Sequence, residues 1–149
     1  RSAAVEKGRI DADDRPLARR VHLEIHDLAD DRGRPIALAL TPGNLADISM
    51  ALPLLGAVSA PKRLIADKAY DAEGLRRWLK ARRIEAVIPS TATRTKPYPL
   101  DRGAYRRRNR IERLFGRLKN WRRLAARYDR LAQNYLAALA LIAAVTEWI

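Results

Sequence analysis

The sequence predicts an α/β domain, a mixed sheet flanked by helices. Two strand-like runs, 21–25 and 35–40, are joined by the turn-forming stretch Asp30-Asp31-Arg32-Gly33, which marks a hairpin. Two shorter apolar runs, 62–66 and 84–88, enclose a segment of helical period. Two long helical patterns close the chain, giving the order strand, strand, helix, strand, helix, strand, helix, helix. With 149 residues, 48% of them hydrophobic, the chain has the length and composition of one domain with a core of its own.

Residues 1–20, RSAAVEKGRIDADDRPLARR, lack helical or strand periodicity and contain a glycine and a proline, so a flexible segment lying on the surface is expected. Its acids, Glu6, Asp11, Asp13 and Asp14, read as those of a soluble loop and are given no catalytic role. Residues 21–25 alternate apolar and polar, and 35–40, PIALAL, form the second strand. His22 and His26 read as structural or surface residues. Thr41-Pro42-Gly43-Asn44 halts that strand, and Asn44 is placed to cap a helix over 45–58 that must absorb Pro53. The strand 62–66 ends at Asp67, and an acid at the end of a buried strand is where open α/β sheets place their chemistry. Asp71 is expected to cap a helix over 72–82, with Leu75, Trp78 and Leu79 inward. Pro97 and Pro99 make 90–100 a loop. The last helix, 131–149, is nearly all apolar and should pack on the sheet or on a partner subunit, which would make the protein a homodimer.

The most informative stretch is 105–127, YRRRNRIERLFGRLKNWRRLAAR. Ile111, Leu114, Phe115, Leu118, Trp121 and Ala125 recur at spacings of three and four and line one apolar stripe. At roughly 100° per residue, Tyr105, Arg108, Glu112 and Lys119 fall within an arc of about 60° beside that stripe. Glu112 is the only acid among the bases of this run. A solvated helix would alternate the two signs to gain i,i+4 pairs. Arg106, Arg107, Arg108, Arg122 and Arg123 instead contribute to a field that a phosphate backbone would neutralise.

The whole chain carries 30 Lys and Arg against 17 Asp and Glu, a formal charge of +13, which suits a polyanionic partner. Nucleic acid is favoured over anionic membrane because of the arginine block on that one helix, and no apolar run reaches spanning length. The absence of cysteine excludes disulfides and thiolate metal sites. No signal peptide opens the chain, so a cytoplasmic, nucleoid-associated protein is expected.

The spacing Tyr105, two residues, Arg108, three residues, Glu112, six residues, Lys119 resembles the Y-R-E-K signature of bacterial insertion-sequence transposases of the DDE class, in the group called family five. LIADKAYDA, carrying Asp67, resembles the second-acid motif of that class. LALTPGNLADISMALPLL, IEAVIPSTA and KPYPLDRGAYRRRNRIERLF resemble further blocks of the family.

The resemblance implies a ribonuclease-H-like fold and a function in DNA transposition, with Asp67 and Glu112 as catalytic, metal-binding acids. It implies two Mg2+ or Mn2+ ions in a complete site. Transposon-end and target DNA would be the partners, with Tyr105, Arg108 and Lys119 near the DNA. In that family the first catalytic Asp lies on a strand ahead of RSAA. The first strand is therefore expected to be missing, and 21–149 to be an incomplete catalytic domain holding two of three acids. Weak metal binding and no strand transfer by the chain alone follow, unless an upstream polypeptide supplies the first Asp. Two other classes stay open: a basic DNA-binding module without catalysis, and a ribonuclease-H-like nuclease that uses water in place of a 3′ hydroxyl.

Overall fold

A computed structural model of the chain describes residues 2–11, 22–42, 47–114, 116 and 132–148. Its strands are β1 (Ser2–Asp11), β2 (His22–Ala29), β3 (Pro35–Pro42), β4 (Arg63–Ile65) and β5 (Glu85–Val87). Its helices are α1 (Asp47–Gly56), α2 (Glu73–Ala81), α3 (Arg102–Tyr105), α4 (109–114) and α5 (Ala132–Trp148). The five strands form one sheet in the order β3-β2-β1-β4-β5. β1 and β3 pair antiparallel with β2, whereas β4 runs parallel to both β1 and β5.

Helices cover both faces, and strand parity sorts the core between them. Ala4, Ile25, Ala29, Ile65 and Val87 face Ala104, Ile111 and Leu114 on α3 and α4, and Ala143 on α5. Their neighbours Ala3, Val5, Leu28 and Leu64 face Ala51, Leu54 and Leu55 on α1 and Leu75 and Leu79 on α2. Full burial of a side chain such as Leu114 contributes about 1.5–3 kcal/mol.

Residues 2–11, expected as part of a flexible surface segment, are instead the middle strand of the sheet. Ala3, Ala4 and Val5 are all buried, because helices lie over both faces of a strand that has neighbours on both edges. Such a strand shows no alternation, and the polar Glu6-Lys7 that follows disguises the run as a loop. Residues 12–21 lie outside the described residues.

The hairpin forms as expected. The Asp30 carboxylate accepts hydrogen bonds from the Arg32 and Arg34 amides (2.9 and 3.0 Å) and from the Arg34 guanidinium (2.6 Å). Gly33 adopts a φ of 83°, which a side chain resists. A Cβ there would also lie 3.2 Å from the Arg110 Cβ and 3.3 Å from its carbonyl oxygen. The Arg110 guanidinium donates to the Asp31 carbonyl, so the hairpin tip grips α4 and fixes its position over the sheet.

Asp71 is not the cap of α2. Ala72 holds that position without a side-chain bond, and the fully enclosed Asp71 carboxylate accepts from Arg76 Nε (2.7 Å), the Thr91 amide (2.7 Å) and Arg94 Nε (3.0 Å). Arg76 also donates to the Ile88 carbonyl, and Arg76 and Arg94 both lie over the Tyr98 ring. This network pins the proline-containing loop after β5 onto α2. The expected cap Asn44 lies outside the described residues.

Candidate active site

β1 and β4 run side by side in the same direction, and their register sets the site. Ala4 pairs with Ile65, so Glu6 and Asp67 each lie two residues further on and share the face that carries α4. Asp67 follows the end of β4 in an extended conformation and caps the 3-10 turn Lys68–Tyr70, its Oδ1 accepting from the Ala69 amide at 2.8 Å. The buried Tyr70 ring anchors that turn in the opposite core. Oδ2 of Asp67 is left to face the site.

The third acid comes from the helical stretch over that face. The backbone is helical from 102 to 114, tightening to a 3-10 turn over Arg106–Arg108. The Asp101 carboxylate caps its start by accepting from the Ala104 amide (2.9 Å). Ile111 and Leu114 bury the apolar stripe, which turns Glu112 to the rim with half its side chain exposed.

Arg108 joins the three acids. Its Nη2 donates to Glu6 Oε2 at 2.6 Å and lies 3.7 Å from Asp67 Oδ2, while its Nη1 donates to Glu112 Oε1. One nitrogen is thus within ion-pair reach of carboxylates from β1 and from the end of β4. The guanidinium is largely enclosed, and its Nε is buried without a hydrogen-bond partner among the described residues. Burial pushes the Glu6 carboxyl up to about 7; Arg108 opposes the rise, and Asp67 and Glu112 add to it. Burial works against the charge of Arg108, but Glu6 and the other acids hold its pKa above the usual arginine value. Three carboxylates therefore share one cation.

Among the described residues no group of three or more His, Cys, Asp or Glu stands close enough together to hold a metal ion. The acids are instead spaced around the guanidinium. As a donor set they suit a hard divalent cation: all are carboxylate oxygens from separate elements, and one guanidinium under-neutralises them.

Asp67 and Glu112, both singled out in the sequence, are brought to this one centre by Arg108. Tyr105 is half-buried and packs against the core under α4. Arg106 and Arg107 are exposed on the 3-10 turn beside the site, with Arg102 and Arg113 exposed nearby. Lys119, Arg122 and Arg123 lie outside the described residues. Glu6 is the residue that sequence reasoning passed over. Its signal was present: Ala3-Ala4-Val5-Glu6 repeats the pattern of Leu64-Ile65-Ala66-Asp67, a short apolar run ending in an acid.

A family model described as a transposase DDE domain matches residues 18–146. The chain belongs to that family. It is 31% identical over 123 residues to a protein assigned as the transposase for insertion sequence element IS6501 in Brucella ovis, covering 82% of this chain and 95% of that protein. A protein assigned as the transposase for insertion sequence element IS402 in Burkholderia cepacia is 34% identical over 134 residues, and the chain spans 61% of its length. Among solved structures, a chain of the simian T-cell lymphotropic virus intasome in complex with PP2A regulatory subunit B56 gamma superposes with a TM-score of 0.63 at 12% identity. That match covers 93% of this chain and 46% of the other. At such identity it shows the fold alone, the ribonuclease-H-like α/β class. Among the described residues no helix is long and apolar enough to cross a membrane.

Proposed function

We propose that this domain is the catalytic core of an insertion-sequence transposase, cutting and joining DNA with divalent cations held by Glu6, Asp67 and Glu112. The observation that carries this is the convergence of β1, the end of β4 and α4 on one guanidinium, in a chain of the DDE family. Mg2+ or Mn2+ bound there would activate the attacking hydroxyl and stabilise the departing oxygen. Glu6 on the sheet and Asp67 just past the end of β4 would supply ligands, and Glu112 would supply one from the rim, where a scissile phosphate has access. Arg106 and Arg107 stand where they neutralise the flanking backbone. Lys119, Arg122 and Arg123 extend that basic surface in our reading. Glu6 fills the role that would otherwise fall to an Asp from an upstream polypeptide.

Cleavage of element-end DNA in Mg2+ or Mn2+ tests the proposal. Metal-dependent 3′-end nicking and joining, lost in Glu6→Gln, Asp67→Asn and Glu112→Gln, is the expected result. Nicking without joining would make the domain a nuclease built on the same site. DNA binding with no metal-dependent product, even with the upstream segment added, would leave a binding module and refute the proposal.

A further inference from the structure

We propose that Arg108 is an exchangeable counter-ion: a divalent cation expels it from among Glu6, Asp67 and Glu112, and the released guanidinium then binds a DNA phosphate. Metal loading and DNA loading are thereby coupled through one side chain. The inference rests on the site proposed above and adds a role for the group that now occupies its centre.

Four observations carry it. Arg108 contacts all three carboxylates, so ions cannot be gripped by the three acids while it stays. A guanidinium does not deprotonate in a protein, so it can make room only by moving. Its present seat is imperfect, because the buried Nε finds no acceptor among the described residues and a planar five-donor fork is left partly unused. Finally, Arg108 ends the turn that carries the exposed Arg106 and Arg107, so a side chain leaving the acids enters solvent close to two further cations that attract phosphate. A phosphate offers the same bidentate acceptor geometry as a carboxylate.

The charge balance gives the exchange its direction. Asp67 and Glu112 alone outnumber the single guanidinium, and Glu6 adds to the excess when ionised, so a divalent ion compensates the centre better than a monovalent one. Without DNA the expelled arginine exchanges its ion pairs for water, which opposes metal entry. With DNA present it gains phosphate contacts, and the opposition falls. By reciprocity, the factor by which metal tightens DNA equals the factor by which DNA tightens metal.

Calorimetric Mn2+ titrations of the chain, with and without a short random-sequence duplex at fixed salt, provide the test. In the natural sequence the duplex should tighten Mn2+ on the order of tenfold. In Arg108→Gln, Mn2+ should bind more tightly than in the natural sequence without DNA, since the competitor is gone, and the DNA effect should shrink towards none. Arg106→Gln should weaken DNA binding and leave the coupling in place. Arg108→Gln binding Mn2+ no better than the natural sequence, or coupling surviving that change, would overturn the exchange. Loss of Mn2+ binding in Asp67→Asn secures the site independently. If Asp67→Asn changes nothing, it is the metal-site reading that fails.

An unaltered chain supplies a second readout. The Nε–Hε resonance of Arg108, assigned by its disappearance in Arg108→Lys, should move towards that of a solvated arginine as Mg2+ is added. A resonance that stays put at saturating Mg2+ would equally overturn the exchange.

Discussion

Glu6 and Asp67 lie two residues beyond the paired Ala4 and Ile65 on adjacent parallel strands, and one Arg108 nitrogen reaches both. Sheet register brings these two acids side by side, and the turn that Asp67 caps just past β4 fixes the second of them. A third acid on a helix packed over the same face then closes the group. Each part of that arrangement makes an expectation that can be measured.

Gly33 couples the hairpin to the helix that presents Glu112. Its φ of 83° and the approach of Arg110 predict that Gly33→Ala destabilises the domain by about 1–3 kcal/mol. Urea unfolding should show a lower midpoint at unchanged slope. A midpoint equal to that of the natural sequence would mean that the hairpin tip does not grip α4.

Asp71 should matter for stability and not for chemistry. Burial acts to raise its pKa, but bonds from Arg94, the Thr91 amide and Arg76 outweigh it and hold the carboxyl well below its ordinary 3.8. A depressed carboxylate stabilises the fold above its unfolded pKa and loses that contribution as pH falls through the folded value. Asp71→Asn should therefore destabilise the domain at neutral pH by about 1–3 kcal/mol, by leaving the buried Arg76 without its charged partner. The penalty should shrink in strong acid. An equal penalty at neutral pH and in strong acid would exclude the ionised network.

Duplex binding should be strongly salt-dependent, with each phosphate contact contributing about −0.9 to the slope of log affinity against log salt. Arg106→Gln and Arg107→Gln should each make the slope shallower by about one such step while leaving Mn2+ binding intact. Slopes indistinguishable from that of the natural sequence would move the DNA surface elsewhere on the molecule.

Much of this architecture was legible in residue order. The hairpin signal at 30–33, the strand ending at Asp67 and the apolar stripe through Ile111 and Leu114 each rest on local chemistry, and each appears where its local pattern placed it. β1 was not legible because its burial comes from neighbours far along the chain. Ala3-Ala4-Val5 has neither length nor alternation to announce a strand, and pairing with β2 and β4 overrides that weak preference. The same holds at Asp71, where an acid ahead of a helix reads as a cap until Arg76 within that helix and the more distant Arg94 and Thr91 amide claim it. Glu6 was missed for both reasons at once: its strand was hidden, and Arg108 lies about a hundred residues away.

The most direct test of the central claim is calorimetric Mn2+ titration of the natural sequence beside Glu6→Gln, with circular dichroism confirming that both are folded. The account predicts that the Gln variant loses most Mn2+ affinity, as Asp67→Asn and Glu112→Gln should. Undiminished Mn2+ binding by a folded Glu6→Gln protein would contradict it, leaving Glu6 as a structural partner of Arg108 and the third ligand to be found elsewhere.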